Sequence, residues 1–205
     1  SYATEEMPLG TAGSVKNAQD ALRDERFLVI SGDALTDIDL TDLVRFHKEN
    51  GALVTIGLKR VPNPLEFGII IIDDDGRVQR FLEKPTWGQV FSDTANTGIY
   101  VMEPEVLDHV AAGESVDWSG DVFPKLLAED VPFHIHRVDA GYWNDVGSLV
   151  ELKAGTFDIL TGALSLPTVE GTGPETTYTG PGTTVGDDVE ITAPVWIGQN
   201  VTIAD

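Results

Sequence analysis

Two aspartates lie where an apolar run gives way to glycine. Asp33 follows Phe27-Leu28-Val29-Ile30-Ser31-Gly32, and Asp145 stands within Gly141-Tyr142-Trp143-Asn144-Asp145-Val146-Gly147. A carboxylate at the carboxyl end of a buried strand faces the crevice where open α/β sheets take their ligands. Two that converge there would hold a divalent cation through oxygen, and the cation would hold phosphates. Either could equally cap its neighbouring turn, a frequent use of Asp.

Other acidic and imidazole groups carry weaker signals. Asp37-Ile38-Asp39 has the spacing of a manganese-binding DxD. It precedes a helix, where acidic residues favour the dipole, so capping is the better reading. Asp73-Asp74-Asp75-Gly76 lacks the downstream glutamate of an EF-hand loop and reads as a hairpin turn. His134 and His136 share one strand face, with no third ligand nearby in sequence, and read as a solvated face. Trp87, Trp118, Trp143 and Trp196 are scattered and read as core or interface.

The elements that would position the two aspartates can be read along the chain. Pro8 to Ser14 is a glycine loop entering a helix marked by Val15, Ala18 and Leu22. Phe27 to Ile30 reads as a strand buried on both faces. Thr41 caps a helix that stops at Asn50-Gly51. Residues 52–61 alternate as a strand, and residues 69–83 read as a hairpin turning at Asp75-Gly76. Gly98 to Met102 is a further strand, followed by short helices near 104–112 and 120–129. Phe133 to Val138 runs toward Asp145, and Ser148 to Glu151 is a capping box opening a helix that ends near Gly162. This is an α/β domain with a mixed sheet over residues 1–166. Residues 167–184 read as a Gly/Pro/Thr linker. Beyond it, Val185, Ile191, Ile197 and Ile203 form one series six apart and Val189, Val195 and Val201 another. That is the period of a hexapeptide β-helix, over 185–205.

Composition narrows the partners. The net charge is −21, with only 13 Lys and Arg in 205 residues. Such a surface repels nucleic acid and anionic lipid, which excludes a phosphate-backbone binder. With no cysteine, thiolate catalysis and disulfides are excluded. The start has no signal-peptide pattern, and the longest apolar run, Phe67 to Ile72 with Gly68 inside it, is too short to span a bilayer. A soluble cytoplasmic protein is expected.

Six segments in order resemble the sugar-1-phosphate nucleotidyltransferases: Pro8-Leu9-Gly10-Thr11-Ala12-Gly13, Ser31-Gly32-Asp33, Phe67-Gly68, Phe81-Leu82-Glu83-Lys84-Pro85, Asn96-Thr97-Gly98-Ile99-Tyr100 and Tyr142 to Gly147. The nearest likeness is to bacterial mannose-1-phosphate guanylyltransferases, whose catalytic domain is followed by hexapeptide repeats. The resemblance implies a Rossmann-like domain leading into a left-handed hexapeptide β-helix. It implies a reaction between a nucleoside triphosphate, GTP favoured, and a sugar 1-phosphate, mannose 1-phosphate favoured. By the same resemblance Asp33 and Asp145 are Mg²⁺ ligands, and Lys84 neutralises the sugar phosphate as a point charge. Glu83, Gly68, Asn96 and Thr97 contact the sugar, while Gly10, Thr11, Gly13 and Gly32 let backbone groups approach the nucleotide. Read alone, Glu83-Lys84 is an exposed ion pair, Asn96-Thr97 is turn chemistry, and the first glycines are a loop entering a helix. The family's phosphate-gripping loop, with its Arg and Lys, lies well upstream of Pro8, which here has seven residues before it. The chain is therefore expected to be the C-terminal part of a catalytic domain, inactive alone and, when folded, either oligomeric or with a covered sheet edge. A non-catalytic relative and a metal-dependent glycosyltransferase using Asp37 and Asp39 are the alternatives.

Overall fold

Val54, Ile56 and Leu58 alternate in sequence, yet β3 (Val54–Arg60) buries five consecutive residues. Both of its faces are covered because it is an inner strand of a mixed sheet. Its neighbours are β6 (Thr94–Met102), antiparallel, and β7 (Phe133–Arg137), parallel. On its far side β6 pairs with β1 (Phe27–Ile30) along 99–102 and with β4 (Ile69–Ile72) at Ala95; β4 pairs in turn with β5 (Val78–Leu82). A computed structural model describes residues 1–61, 69–72, 78–82, 93–164, 166 and 171–204. The chain divides into two compact units. The first holds Ser1–Gly32 and Asp39–Ala140; the second holds Asp33–Ile38 and Gly141–Asp205. The expected 1–166 stretch contributes to both units, with 33–38 and the part beyond 140 in the second.

In the first unit, β1 differs from expectation. It is antiparallel to β6, and its exposure rises from buried Phe27 to Ile30, 43% exposed, so it is covered on one side only. The helix α2 (Leu40–Asn50) is capped by Asp39, not Thr41: the Asp39 carboxylate accepts from the Thr41 and Asp42 N–H groups at 2.9 and 3.1 Å. Gly51 ends the helix in the left-handed region, φ 57°. Between them, α2 presents Leu43 and His47 to the interior. The core gathers Val54, Ile56, Leu58, Tyr100, Met102, Trp118 and Phe123. Phe123 stacks on Trp118 at 5.6 Å and meets Tyr100 edge-on at 5.2 Å. Aromatic pairs of this kind contribute about 0.5–1.5 kcal/mol each beyond their burial. Trp118 opens a turn of π-helix (Trp118–Val122) that runs into α3 (Phe123–Ala128).

The second unit joins chain segments far apart in sequence. β2 (Ala34–Thr36) pairs antiparallel with β8 (Trp143–Asp145), and α4 (Leu149–Thr161) follows β8. Ser148 caps α4 by accepting from the Glu151 N–H at 3.1 Å, and Gly162 (φ 80°) stops it, as the sequence indicates. Further along, β9 (Thr177–Thr179) pairs parallel with β11 (Val195–Ile197), and β10 (Thr184–Val185) with β12 (Thr202–Ile203). Strand pairing therefore begins inside the expected linker. The threonines of β9 suit a strand but hide the apolar period. All seven residues of the two six-spaced series are buried or half-buried.

Candidate active site

The register of the β2–β8 ribbon brings Asp33 and Asp145 together. Ala34 lies opposite Asp145, and the Val146 N–H donates to the Asp33 carbonyl at 3.0 Å. Ladder spacing then puts the two aspartate Cα atoms about 6 Å apart. Asp33 is exposed and Asp145 half-buried. Two carboxylates fit a Mg²⁺ ion, which takes one or two protein carboxylates and completes its octahedron with water and substrate phosphates. Among the described residues no cluster of three or more acidic or imidazole groups forms a self-sufficient metal cage. When bound there, Mg²⁺ would supply charge neutralisation for phosphate oxygens.

Around the pair, the second unit is cross-linked. The Thr36 hydroxyl donates to the Tyr142 carbonyl at 2.7 Å, and the Tyr142 N–H donates to the Asp37 carboxylate at 2.6 Å. The Tyr142 hydroxyl donates to Asp158 of α4 at 2.6 Å, and the Asn144 amide donates to Glu151 at 3.1 Å. Burial, reinforced by the Asp158 carboxylate, pushes the Tyr142 phenol up to about 12. It therefore stays a proton donor at any physiological pH. Asp37 is thus engaged with the Tyr142 backbone and Asp39 with the α2 N-terminus. Both halves of the DxD have structural roles, which removes the observation that favoured a glycosyltransferase.

The first unit holds the other described candidates, and several act differently from expectation. Gly10 is already the first residue of α1 (Gly10–Asn17), so the helix starts ahead of the expected Ser14. A Cβ on Gly10 would stand 2.6 Å from the Val116 carbonyl oxygen, and one on Gly13 2.6 Å from that of Glu114. The space these glycines leave is filled by the 114–116 backbone, not held open for a nucleobase. The Val116 carbonyl also accepts from the Ala12 and Gly13 N–H groups at 2.9 and 3.2 Å. Thr11 donates to Asp117 at 2.6 Å and accepts from the Trp118 N–H at 3.0 Å, so its hydroxyl ties α1 to the π-turn. At Gly32 a Cβ would meet nothing within 4 Å, leaving this glycine open to a ligand.

Asn96 and Thr97 lie within β6, not in a turn. Thr97 is 2% exposed and donates to the Gly57 carbonyl at 2.8 Å. Asn96 donates to Tyr100 at 3.0 Å and Ser119 at 3.1 Å, and accepts from the Gly98 N–H at 3.1 Å. The two side chains that were expected to contact a sugar instead brace the irregularity where β6 slips register against β3. Gly98 (φ 71°) is required there, since a Cβ would come within 2.5 Å of the Ser31 hydroxyl. Gly68, Glu83 and Lys84, with Asp73 to Gly76 and Trp87, lie outside the described residues.

His136 is not on a solvated face: its Nε2 pairs with Asp42 at 2.7 Å, and its ring packs on Phe46 at 4.4 Å. That bond holds the Asp42 carboxyl below its ordinary value. Buried His47 bonds Thr55 at 2.8 Å and Glu103 at 3.3 Å. Desolvation holds its imidazole below the usual histidine range. Sequence reasoning missed Tyr142, Asn144, Glu151 and Asp158 as a group. The available signal was their regular spacing: two apart beside Asp145, seven apart on the helix.

A family model described as nucleotidyl transferase matches residues 1–161. A UTP–glucose-1-phosphate uridylyltransferase of Synechocystis is 38% identical over 203 residues, covering 96% of this chain and 52% of that protein. A mannose-1-phosphate guanylyltransferase of Mycobacterium tuberculosis is 39% identical over 174 residues, covering 83% of this chain and 47% of that protein. A Xenopus laevis mannose-1-phosphate guanyltransferase beta-B is 36% identical, covering 98% and 53%. The chain thus spans about half the length of these relatives. Among solved structures, a Bacillus anthracis protein in complex with sucrose superposes with TM-score 0.68 at 22% identity, over 77% of this chain and 63% of that one. HddC from Yersinia pseudotuberculosis gives 0.64 at 23%, over 75% and 64%. These two likenesses speak to the α/β fold alone. Among the described residues no helix is long and apolar enough to cross a membrane.

Proposed function

This chain belongs to the nucleotidyl transferase family, and we propose that its parent protein transfers a nucleotidyl group from a nucleoside triphosphate to a sugar 1-phosphate. An oxygen of the sugar phosphate attacks the α-phosphorus, the bond from that phosphorus to the bridging oxygen breaks, and pyrophosphate leaves. Both reactants are anions, so catalysis is a matter of positioning and charge neutralisation. The observation that carries this reading is the opposition of Ala34 and Asp145 across a ribbon that sets Asp33 beside Asp145. In a chain of net charge −21, two aspartates on adjoining backbone positions would draw a cation, and a cation is what two phosphorylated substrates need.

The proposed metal is Mg²⁺, held by Asp33 and Asp145. Lys84 is the proposed counter-charge for the sugar phosphate, with Glu83 and Gly68 beside the sugar and Gly32 facing the nucleotide. GTP and mannose 1-phosphate remain the favoured substrates, supported by the guanylyltransferase relatives. The uridylyltransferase relative makes UTP and glucose 1-phosphate the direct competitor. We further propose that 171–204 begins a left-handed hexapeptide β-helix. Its parallel pairs join residues eighteen apart, Thr177 with Val195 and Thr184 with Thr202, which is three hexapeptides per coil. The proposed setting is cytoplasmic and the proposed assembly a homo-oligomer.

The test is a matrix of nucleotides against sugar 1-phosphates with pyrophosphate release as readout, run on the full-length parent. Asp145→Asn is expected to reduce kcat by at least about 100-fold, the scale of removing one electrostatic group at a phosphoryl-transfer site. Unchanged turnover in that variant, or no pyrophosphate with any pair, overturns the reading.

A further inference from the structure

We propose that the Tyr142–Asp158 and Asn144–Glu151 hydrogen bonds set where Asp145 stands, making Glu151 and Asp158 of α4 positioning residues for the carboxylate pair. The inference rests on the metal reading above. β2 and β8 have three residues each, and a two-stranded ribbon of that size does not hold its own geometry in water. Something outside the ribbon must impose it.

The spacing identifies α4 as that element. Glu151, Gly155 and Asp158 fall at i, i+4 and i+7, one stripe of the helix. Tyr142 and Asn144 are two apart and share one side of the extended chain, and Leu35 lies opposite Asn144. These two surfaces meet. Asp158 takes the Tyr142 hydroxyl at 2.6 Å, Glu151 takes the Asn144 amide at 3.1 Å, and a Cβ on Gly155 would stand 2.9 Å from Leu35 Cδ2. The helix thus grips both strands, each bond falling next to or three residues from Asp145. Strand alternation puts Asp145 and Ala34 on the face turned away from α4, while Asp33 stands in the turn before β2, outside that alternation. The helix fixes the Asp145 backbone from the face opposite its side chain.

The test uses Mn²⁺ as an electron-paramagnetic probe of binding to the full-length parent, alongside thermal unfolding. Asp158→Ala and Tyr142→Phe each delete the longer-reaching bond, and Asp158→Asn keeps an acceptor for the phenol. The first two are expected to weaken Mn²⁺ binding about three- to tenfold, below the roughly 10- to 100-fold of partners that touch a ligand directly, with Asp158→Asn restoring most of it. Asp145→Ala is the control and should abolish binding at that site. If both deletions lower the melting temperature while Mn²⁺ affinity stays unchanged and Asp145→Ala still abolishes it, the bonds serve stability alone and the inference fails. If Asp145→Ala leaves Mn²⁺ affinity intact, the metal reading itself fails and takes the inference with it.

Discussion

Gly10→Ala separates packing from ligand binding at the start of α1. Gly10 has φ 70°. An L-residue in that left-handed region costs roughly 1–2 kcal/mol. The added methyl would also stand 2.6 Å from the Val116 carbonyl oxygen and 3.0 Å from its carbon. Those are backbone atoms, and the oxygen already accepts from two α1 N–H groups, so they cannot retreat without loss. Overpacking of this kind costs about 1–3 kcal/mol. Together the two effects amount to about 2–5 kcal/mol, a large share of a domain's stability of about 5–15 kcal/mol, and a fall in melting temperature on the order of 10 °C. Gly32→Ala is the matched control, because its Cβ would meet nothing within 4 Å and its φ is not left-handed. Thermal and urea unfolding of both variants, with nucleotide KM measured on the full-length parent, gives the comparison. Gly10→Ala should lose stability, whereas Gly32→Ala should keep it and raise the nucleotide KM. A Gly10→Ala protein as stable as wild type, with nucleotide binding alone impaired, would refute the packing account.

Stability should fall as pH drops from about 7 toward about 5.5. Burial holds the His47 imidazole below 6.5. The unfolded chain therefore takes up a proton that the folded one refuses, and stability rises with pH across that window. Urea midpoints at the two pH values should show the slope, and His47→Gln should flatten it. Asp42 acts lower: its folded pKa is depressed, so its contribution is present above the ordinary 3.8 and is lost only as pH falls further, separable by continuing the titration. Asp39, whose carboxylate caps α2, gives a third test. Asp39→Ala should cost about 1 kcal/mol without changing metal affinity, where the DxD alternative requires metal affinity to fall. Thr11→Val cuts both hydroxyl bonds to Asp117 and Trp118. It should destabilise by about 1–3 kcal/mol in urea titrations.

Local signals in the sequence transferred well where one element decides its own geometry. Ser148 and Gly162 bracket α4, Gly51 ends α2, and the apolar run at 27–30 is a strand. What the sequence hid were choices made by distant partners. Asn96 and Thr97 offer polar groups suited to a ligand, but β6 carries them into the sheet, where Tyr100, Ser119 and Gly57 take them up. Gly10 and Gly13 look like a ligand's clearance, and only the path of residues 114–116 reveals what occupies it. Likewise Asp37 could be told from a metal ligand only once Tyr142 lay beside it, 105 positions along the chain.

The same long reach makes Asp33 and Asp145 one structural object. Asp33 is held through the bond from the Val146 N–H to its carbonyl and through the pairing of β2 with β8. Without β8, those pairings of β2 are lost, and a three-residue strand does not persist on its own. Damage to the 142–147 segment should therefore cost both carboxylates at once, whereas Asp145→Asn should cost a charge and leave Asp33 in place. A backbone-disrupting Asn144→Pro removes an N–H from the ribbon and an amide from α4 together. It should abolish Mn²⁺ binding more completely than Asp145→Asn does, although the substituted residue is not itself a ligand. Equal or weaker loss in Asn144→Pro would mean that Asp33 keeps its place without the ribbon, and that the pairing of 34 with 145 is not what holds the two aspartates together.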